Sequence, residues 1–321
     1  MNEIRFIKLN GKRWQDFDQF LGKKQKSSPD HLAHLYIELT DDLAYAKTFF
    51  PKSKTTKYLN QITFKAHQQI FRRRKIGTNR LLNFFLFDYP LIIYNNRRHI
   101  LYAFLIFLVS AIIGAVSLNL DDEFARAVLG DSYVNMTIDN IEKGDPLGIY
   151  DSTGQWEMFF SIAWNNIRVS FVAFASGILF TIGTYIILFQ NGIMIGVFQF
   201  FFFQKNLLTF SVLTIWMHGT IEITSIIIAS AAGLVMGTSL LFPGTYKRTY
   251  SFQKGAMQGV KMVAGLIPFF IIAAFIESFL TRHSEESLVL DALIIGLSGL
   301  FIIFYFYIYP YILTKKTNIN E

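Results

Sequence analysis

The sequence predicts an all-α, polytopic helical membrane protein of about six spans, preceded by an N-terminal cytoplasmic helical domain. Three observations predict it. Of the 321 residues 52% are hydrophobic and only 17% are charged. The apolar residues are gathered into long blocks, and a block of about 20 residues is what a helix needs to cross a hydrocarbon core of roughly 30 Å. The positive charge is also uneven: residues 1–99 hold 19 Lys+Arg against 8 Asp+Glu, and the remainder 11 against 15. By the positive-inside rule that excess assigns the N-terminal part to the cytoplasm, beside anionic lipid head groups.

The same composition excludes other classes. Without cysteine the chain forms neither disulfides nor thiolate metal sites. The opening MNEIRFIKLNGKRWQ lacks the apolar stretch of a signal peptide, so the first span is expected to direct its own insertion. RRRKIGTNR is a single short basic cluster with no groove-reading motif beside it, and no nucleic-acid partner is expected.

Residues 1–97 read as a basic cytoplasmic helical domain. Ser28 and Pro29 suit an N-cap and first helical position, and Leu32, Leu35, Leu39, Leu43 and Ala46 follow at helical spacing. Leu59, Ile62, Ala66 and Ile70 form a second stripe, and Trp14, Phe17 and Leu21 a shorter one. Three amphipathic helices of this kind bury one modest core. RLLNFFLFDYPLIIYNNRRH, with Pro90 bending it, is either a helix lying on the membrane surface or a fourth helix of the bundle.

Residues 98–314 supply the spans, and 315–321 a cytoplasmic tail. Ile100 to Leu120 runs outward. An acidic extracytoplasmic loop, 121–157, follows with nine Asp+Glu and two Lys+Arg. Val169 to Phe189 returns, Asn191-Gly192 reads as a turn, and GIMIGVFQFFFF goes out again. From Leu207 to Phe242 there are 36 residues without a Lys or Arg. As one straight helix these would measure about 54 Å, well beyond the hydrocarbon thickness. A break at Gly219 is therefore expected, with LLTFSVLTIWM an interfacial or re-entrant piece and Thr220 to Phe242 the span. Met262 to Leu280 goes out, TRHSEESLVLD turns, and Ala292 to Leu313 comes back. Both termini are then cytoplasmic.

This topology locates a candidate intramembrane polar site. His218 and Glu222 share one helical face at the outer end of the fourth crossing, on either side of Gly219. Asn165 and Arg168, from WNNIR, and Glu277 are expected at the same level, where opposite charges offset one another's desolvation. An ionisable residue inside a span is a functional candidate by default. The alternative is structural, with Glu222 pairing with Arg168 or His218. Below Glu222 the small residues Ser225, Ala229, Gly233 and Gly237 form a helix-packing ridge. That ridge meets either another helix of the same chain, which the sequence favours, or its copy in a homodimer.

Absences rank the functions. His-x-x-x-Glu offers two ligands to zinc, but no third is visible, because the remaining histidines fall in other segments. No HExxH, GxSxG or glycine-rich phosphate loop is present. Neither a metal nor another cofactor is expected, and the protein reads as no enzyme. Asp139, Glu142 and Asp145 lack the spacing of an EF-hand and read as a solvated acidic surface.

The quoted segments also carry a resemblance. GILFTIGTYIILFQNGIMIG followed by HGTIEITSIIIASAAGL resembles the core of the stage II sporulation protein M family, also called the domain-of-unknown-function 95 group. Looser similarity extends to KTFFPKSKTTKYLNQITFKAHQQIF, VLGDSYVNMTIDNIEKGDPLGIY and PGTYKRTYSFQKGAMQGVKMVAGLIPFFIIAAFIESF. Its most specific element is His-Gly-x-x-Glu at 218, 219 and 222; Met217 stands where family members often carry Pro. The resemblance implies an integral membrane protein that acts with cell-wall-cleaving partners in engulfment, and it extends to bacteria that do not sporulate, the type expected here. Together these readings point to a bacterial inner-membrane scaffold that recruits envelope or cell-wall proteins. The alternative is a permease or lipid-handling transporter using the His/Glu site.

Overall fold

The computed structural model describes residues 2–22, 29–70, 80–144, 154–281 and 288–318. Ser28, Asp145, His283 and all but the last residue of RRRKIGTNR lie outside them. Every regular element among the described residues is a helix. The chain divides into two compact units, Met1–Arg80 and Leu81–Glu321.

The first unit contains α1 (Glu3–Gly22), α2 (Pro29–Phe49) and α3 (Lys54–Ile70). Leu32 and Ile70 have side chains outside the described ones; the other periodic positions turn inward as their spacing predicts. Trp14, Leu21, Leu39, Leu43, Ala46, Leu59, Ile62 and Ala66 join Phe6 in one core, and full burial of each large side chain contributes about 1.5–3 kcal/mol. Ser53 ends the connection between α2 and α3 by accepting the Thr56 N–H at 3.1 Å, which satisfies one of the free donors of the helix start. Trp14 turns its apolar body inward and donates Nε1–H to Asp42 at 2.8 Å. Arg13 pairs with the same carboxylate, so α1 and α2 are joined by charge as well as by apolar contact.

In the second unit, α4 (Arg80–Asn83) continues through a π-helical turn, Phe84–Asp88, into α5 (Tyr89–Asn95). Residues 81–97, which composition groups with the N-terminal domain, belong to the membrane unit. Tyr89 is the reason. Its ring lies over Gly265, where an added Cβ would stand 2.0 Å from Cε2, and its hydroxyl donates to the Met262 carbonyl at 3.1 Å. Burial raises its pKa well above the usual phenol value.

Six helices are long and apolar enough to cross a membrane. They are α6 (Arg97–Leu120), α9 (Gln155–Ala175, continued by a 3₁₀ turn to Ile178), α10 (Ile182–Gln204), α11 (Leu208–Leu241), α12 (Arg248–Phe275, continued by a π-helical turn to Leu280), and α13 (Leu288–Ile303), which leads through π-helical Phe304–Ile308 into α14 (Tyr309–Asn318). Between α6 and α9 stand α7 (Phe124–Leu129) and α8 (Asp131–Glu142). The protein is an integral, multi-pass membrane protein.

The second span begins earlier than expected, at Gln155 in place of Val169, and the fifth at Arg248 in place of Met262; two further differences concern where the chain turns. The chain between the second and third spans turns at Leu179–Thr181, where Phe180 and Thr181 adopt φ of 52° and 70°. Asn191-Gly192 lies inside α10. Asn191 donates to the Ile187 carbonyl at 2.8 Å, and Gly192 and Gly196 press against Phe107, Ser110 and Ala111 of α6. The Asn-Gly read as a turn from the sequence is instead the start of a Gly-x-x-x-Gly pair that admits a neighbouring backbone. The real turn consists of residues that do not advertise one.

The second difference is α11, which runs unbroken through Gly219 for 34 residues, about 51 Å. Glycine costs about 1 kcal/mol inside a helix but does not forbid one; packing decides. In its membrane-compatible window α11 is 78% buried, against 6% for the last span. It is the central helix of the unit, and its excess length is taken up by tilt or by protrusion beyond the hydrocarbon.

Candidate intramembrane polar site

The site grows from the way α9 and α12 pack on α11. Gly233 lies against the Ala173 and Phe174 carbonyls, and Gly237 against that of Gly177. These pairs advance together, so α9 runs in the same direction as α11. On α12, Gly255 meets Ser239 and Val235, and Gly259 meets Ala232; here the numbers run in opposition and the helices are antiparallel. The ridge of Ser225, Ala229, Gly233 and Gly237 is thus buried, with both glycines seated against the same chain. Following both partners toward the start of α11 brings Asn166 of α9 and Glu277, in the π-turn after α12, to the level of His218 and Glu222.

There the polar groups converge. His218, 5% exposed, holds Nε2 at 3.8 Å from Glu277 Oε2 and Nδ1 at 3.3 Å from the Thr281 hydroxyl. Glu222 receives the Asn166 amide. One donor atom from each of His218, Glu222 and Glu277 lies within 4.8 Å of the other two. Glu277, which the sequence places at this level, is thus a third electron-pair donor beside the pair, brought from 55 residues downstream of Glu222. Its π-helical turn, Ile276–Leu280, re-aims the side chain by widening the coil, a device often found at functional sites.

Asn165 and Arg168 do not join the cluster; both are exposed. The buried face of α9 is Ala163, Asn166, Ser170, Ala173 and Phe174, and the residues flanking Asn166 at 165 and 168 are rotated off it. Asn166 is the polar group that sequence reasoning missed. The signal was the stripe of small residues at 163, 170, 173 and 177, which picks position 166 over 165. Asp291 was also missed: 3% exposed in the first turn of α13, it keeps Oδ2 without a partner among the described residues. The sequence assigns it to the outer turn TRHSEESLVLD. Gly219 is buried beside His218, yet a Cβ there would meet only Ile223 and Ile215, at 3.7 and 3.8 Å. Neither a turn nor a close approach requires glycine.

Fold and site define a class, the multi-pass membrane proteins with a buried polar centre on their central helix. Within it, residues 103–282 match the family model described as Stage II sporulation protein M, and the chain belongs to that family. Residues 4–72, part of which had been included in the looser similarity, match instead a separate model, a domain of unknown function (DUF8413). No curated protein and no solved structure matches the chain.

Proposed function

We propose that the protein is a scaffold of the bacterial cytoplasmic (inner) membrane, with both termini cytoplasmic, which recruits envelope or cell-wall proteins and has no catalytic activity of its own. The observation that carries this reading is the division into two compact units, each with its own core. The membrane unit is held by backbone contacts at glycine, and the other is a three-helix unit with its charges outside. A tightly packed anchor and a separate interaction body suit assembly work, and family membership agrees. Membrane lipids are the surrounding partner. The glycine ridge is already seated within the chain, so a homodimer would use another face.

A second reading, transport of a proton, ion or lipid head group, is favoured by the buried His218, Glu222 and Glu277. The cavities give it less support. One of about 730 Å³ is lined by Thr220 and Thr224, on the opposite face of α11 from Glu222, and by Phe104 and Phe200. Another of about 780 Å³ lies against α7 and α10. Neither is lined by a member of the cluster.

Because the chain lacks cysteine, single cysteines at exposed Asp139 and Lys47 allow both labelling and crosslinking in native membranes. The scaffold reading expects Asp139→Cys to react from outside and Lys47→Cys from inside, with both capturing envelope proteins that persist in Glu222→Ala. Failure to capture any protein, with loss of a reconstituted flux in Glu222→Ala, would establish transport in its place.

A further inference from the structure

We propose that His218, Glu222 and Glu277 form a binding site for a divalent first-row transition-metal cation, with zinc as the probe, that ties α11 to the turn following α12. The inference goes beyond the scaffold reading and does not depend on it.

Hydrogen-bond bookkeeping carries the argument. The Thr281 hydroxyl donates its single proton to the Ile276 carbonyl, at 3.3 Å, so toward His218 it offers only a lone pair. Nδ1 of His218, 3.3 Å from that hydroxyl, therefore carries the ring proton and donates it. In the neutral ring this leaves a lone pair on Nε2. Nε2 faces Oε2 of Glu277 at 3.8 Å, so with that acid ionised two lone pairs meet. Glu222 brings a second carboxylate to the same place, and two carboxylates so close repel each other when both are ionised. Among the described residues no Lys or Arg enters the cluster. Three electron-pair donors then point at one small volume inside a membrane span, where uncompensated charge is costly. A cation resolves that conflict.

The surrounding groups fit a metal better than a salt bridge. A metal-bound imidazole commonly donates its other N–H to a neighbouring oxygen, which holds its tautomer and ring plane, and Thr281 does this for His218. Asn166 does the corresponding work for Glu222. Donors about 2.1 Å from zinc stand roughly 3.4 Å apart in a tetrahedron. The three present ones lie within 4.8 Å of one another, and rotations moving each by under about 1 Å bring them to that spacing. One imidazole with two carboxylates suits zinc, manganese or iron; calcium and magnesium prefer oxygen alone. Three protein ligands leave a fourth position for water or a group presented by a partner.

The test uses the full chain in detergent, stripped with chelator, dialysed against zinc and measured by elemental analysis beside Glu277→Gln and His218→Ala. The expected result is about one zinc per wild-type chain, with severalfold less in each variant, and a wild-type Tm raised by about 3 °C or more. Should the variants fail to fold, cobalt bound to the wild-type chain decides alone. Visible d–d absorption of a low-symmetry site, displaced by zinc, supports the assignment. Overturning results are a wild-type chain that takes up no zinc and gives no cobalt spectrum, or folded variants that load as fully as wild type. The first would mean that a shared proton reconciles the carboxylates.

Discussion

Along α11, the stretch from Ser225 to Gly237 and the stretch from Ser211 to Glu222 are packed by different means. In the former, Gly233 and Gly237 bring backbone onto backbone, and a Cβ on Gly177 would fall 2.2 Å from the Gly233 carbonyl oxygen. Ser225 returns its hydroxyl to its own helix at 2.8 Å. In the latter the neighbours are reached by side chains, two of which, His218 and Glu222, are ionisable. Lipid supplies no hydrophobic drive between helices, so close packing is sufficient to hold a span in place. The glycine half shows that this chain has that means available. Buried ionisable groups in the other half cost free energy that packing did not require, which is the physical reason to look for function there.

The largest effect that sharpens this contrast is expected from Gly233→Leu. With the Ala173 carbonyl oxygen 2.7 Å from the first added atom, α9 must move away, at a cost of about 3 kcal/mol or more. Denaturation of the purified protein in mixed micelles should show it, and a variant as stable as wild type would dissolve the close-packed half. Next comes His218→Ala, which removes the imidazole held between Glu277 and Thr281. A loss of about 2–4 kcal/mol is expected by the same measurement. Tyr89→Phe removes only the bond to the Met262 carbonyl and should cost about 1 kcal/mol, read as a small drop in Tm without loss of helicity. The smallest effects separate this account from the broken-helix expectation. Gly219→Ala should be neutral or stabilise by up to about 1 kcal/mol, and Asn165→Ala should leave stability unchanged within about 0.5 kcal/mol. A large loss at Gly219 would restore the break.

Much of this was legible in the sequence, and the parts that were not share a cause. The six crossings and the stripes of the N-terminal unit follow from composition and helical period, which act within one segment. Span ends proved harder. Asn191-Gly192 resembles a turn because the same lack of a Cβ that permits a turn also permits close approach to α6, and one sequence does not separate the two uses. Leu179–Thr181 turns with ordinary residues, two of them at positive φ, so no local signal marks it. Gly219 was judged by length alone, without the packing that sustains a 34-residue helix. For the site, His218 and Glu222 were readable from i, i+4 spacing, whereas choosing Asn166 over Asn165 needed the direction of a neighbouring helix. Glu277 was placed at the right level, but its reach depends on a π-turn that no pattern in IESFL discloses.

The central claim is that His218 and Glu277, from two different spans, act on each other inside the membrane unit. A double-mutant cycle measures this most directly: unfolding free energies of wild type, His218→Ala, Glu277→Gln and the double variant, under one set of micelle conditions. The account predicts a coupling of about 1 kcal/mol or more in magnitude, favourable when the shared cation is bound, so that the double variant of the zinc-loaded chain loses less than the two single losses together. Additivity within about 0.5 kcal/mol would contradict it, leaving two polar residues at the same depth with no common site.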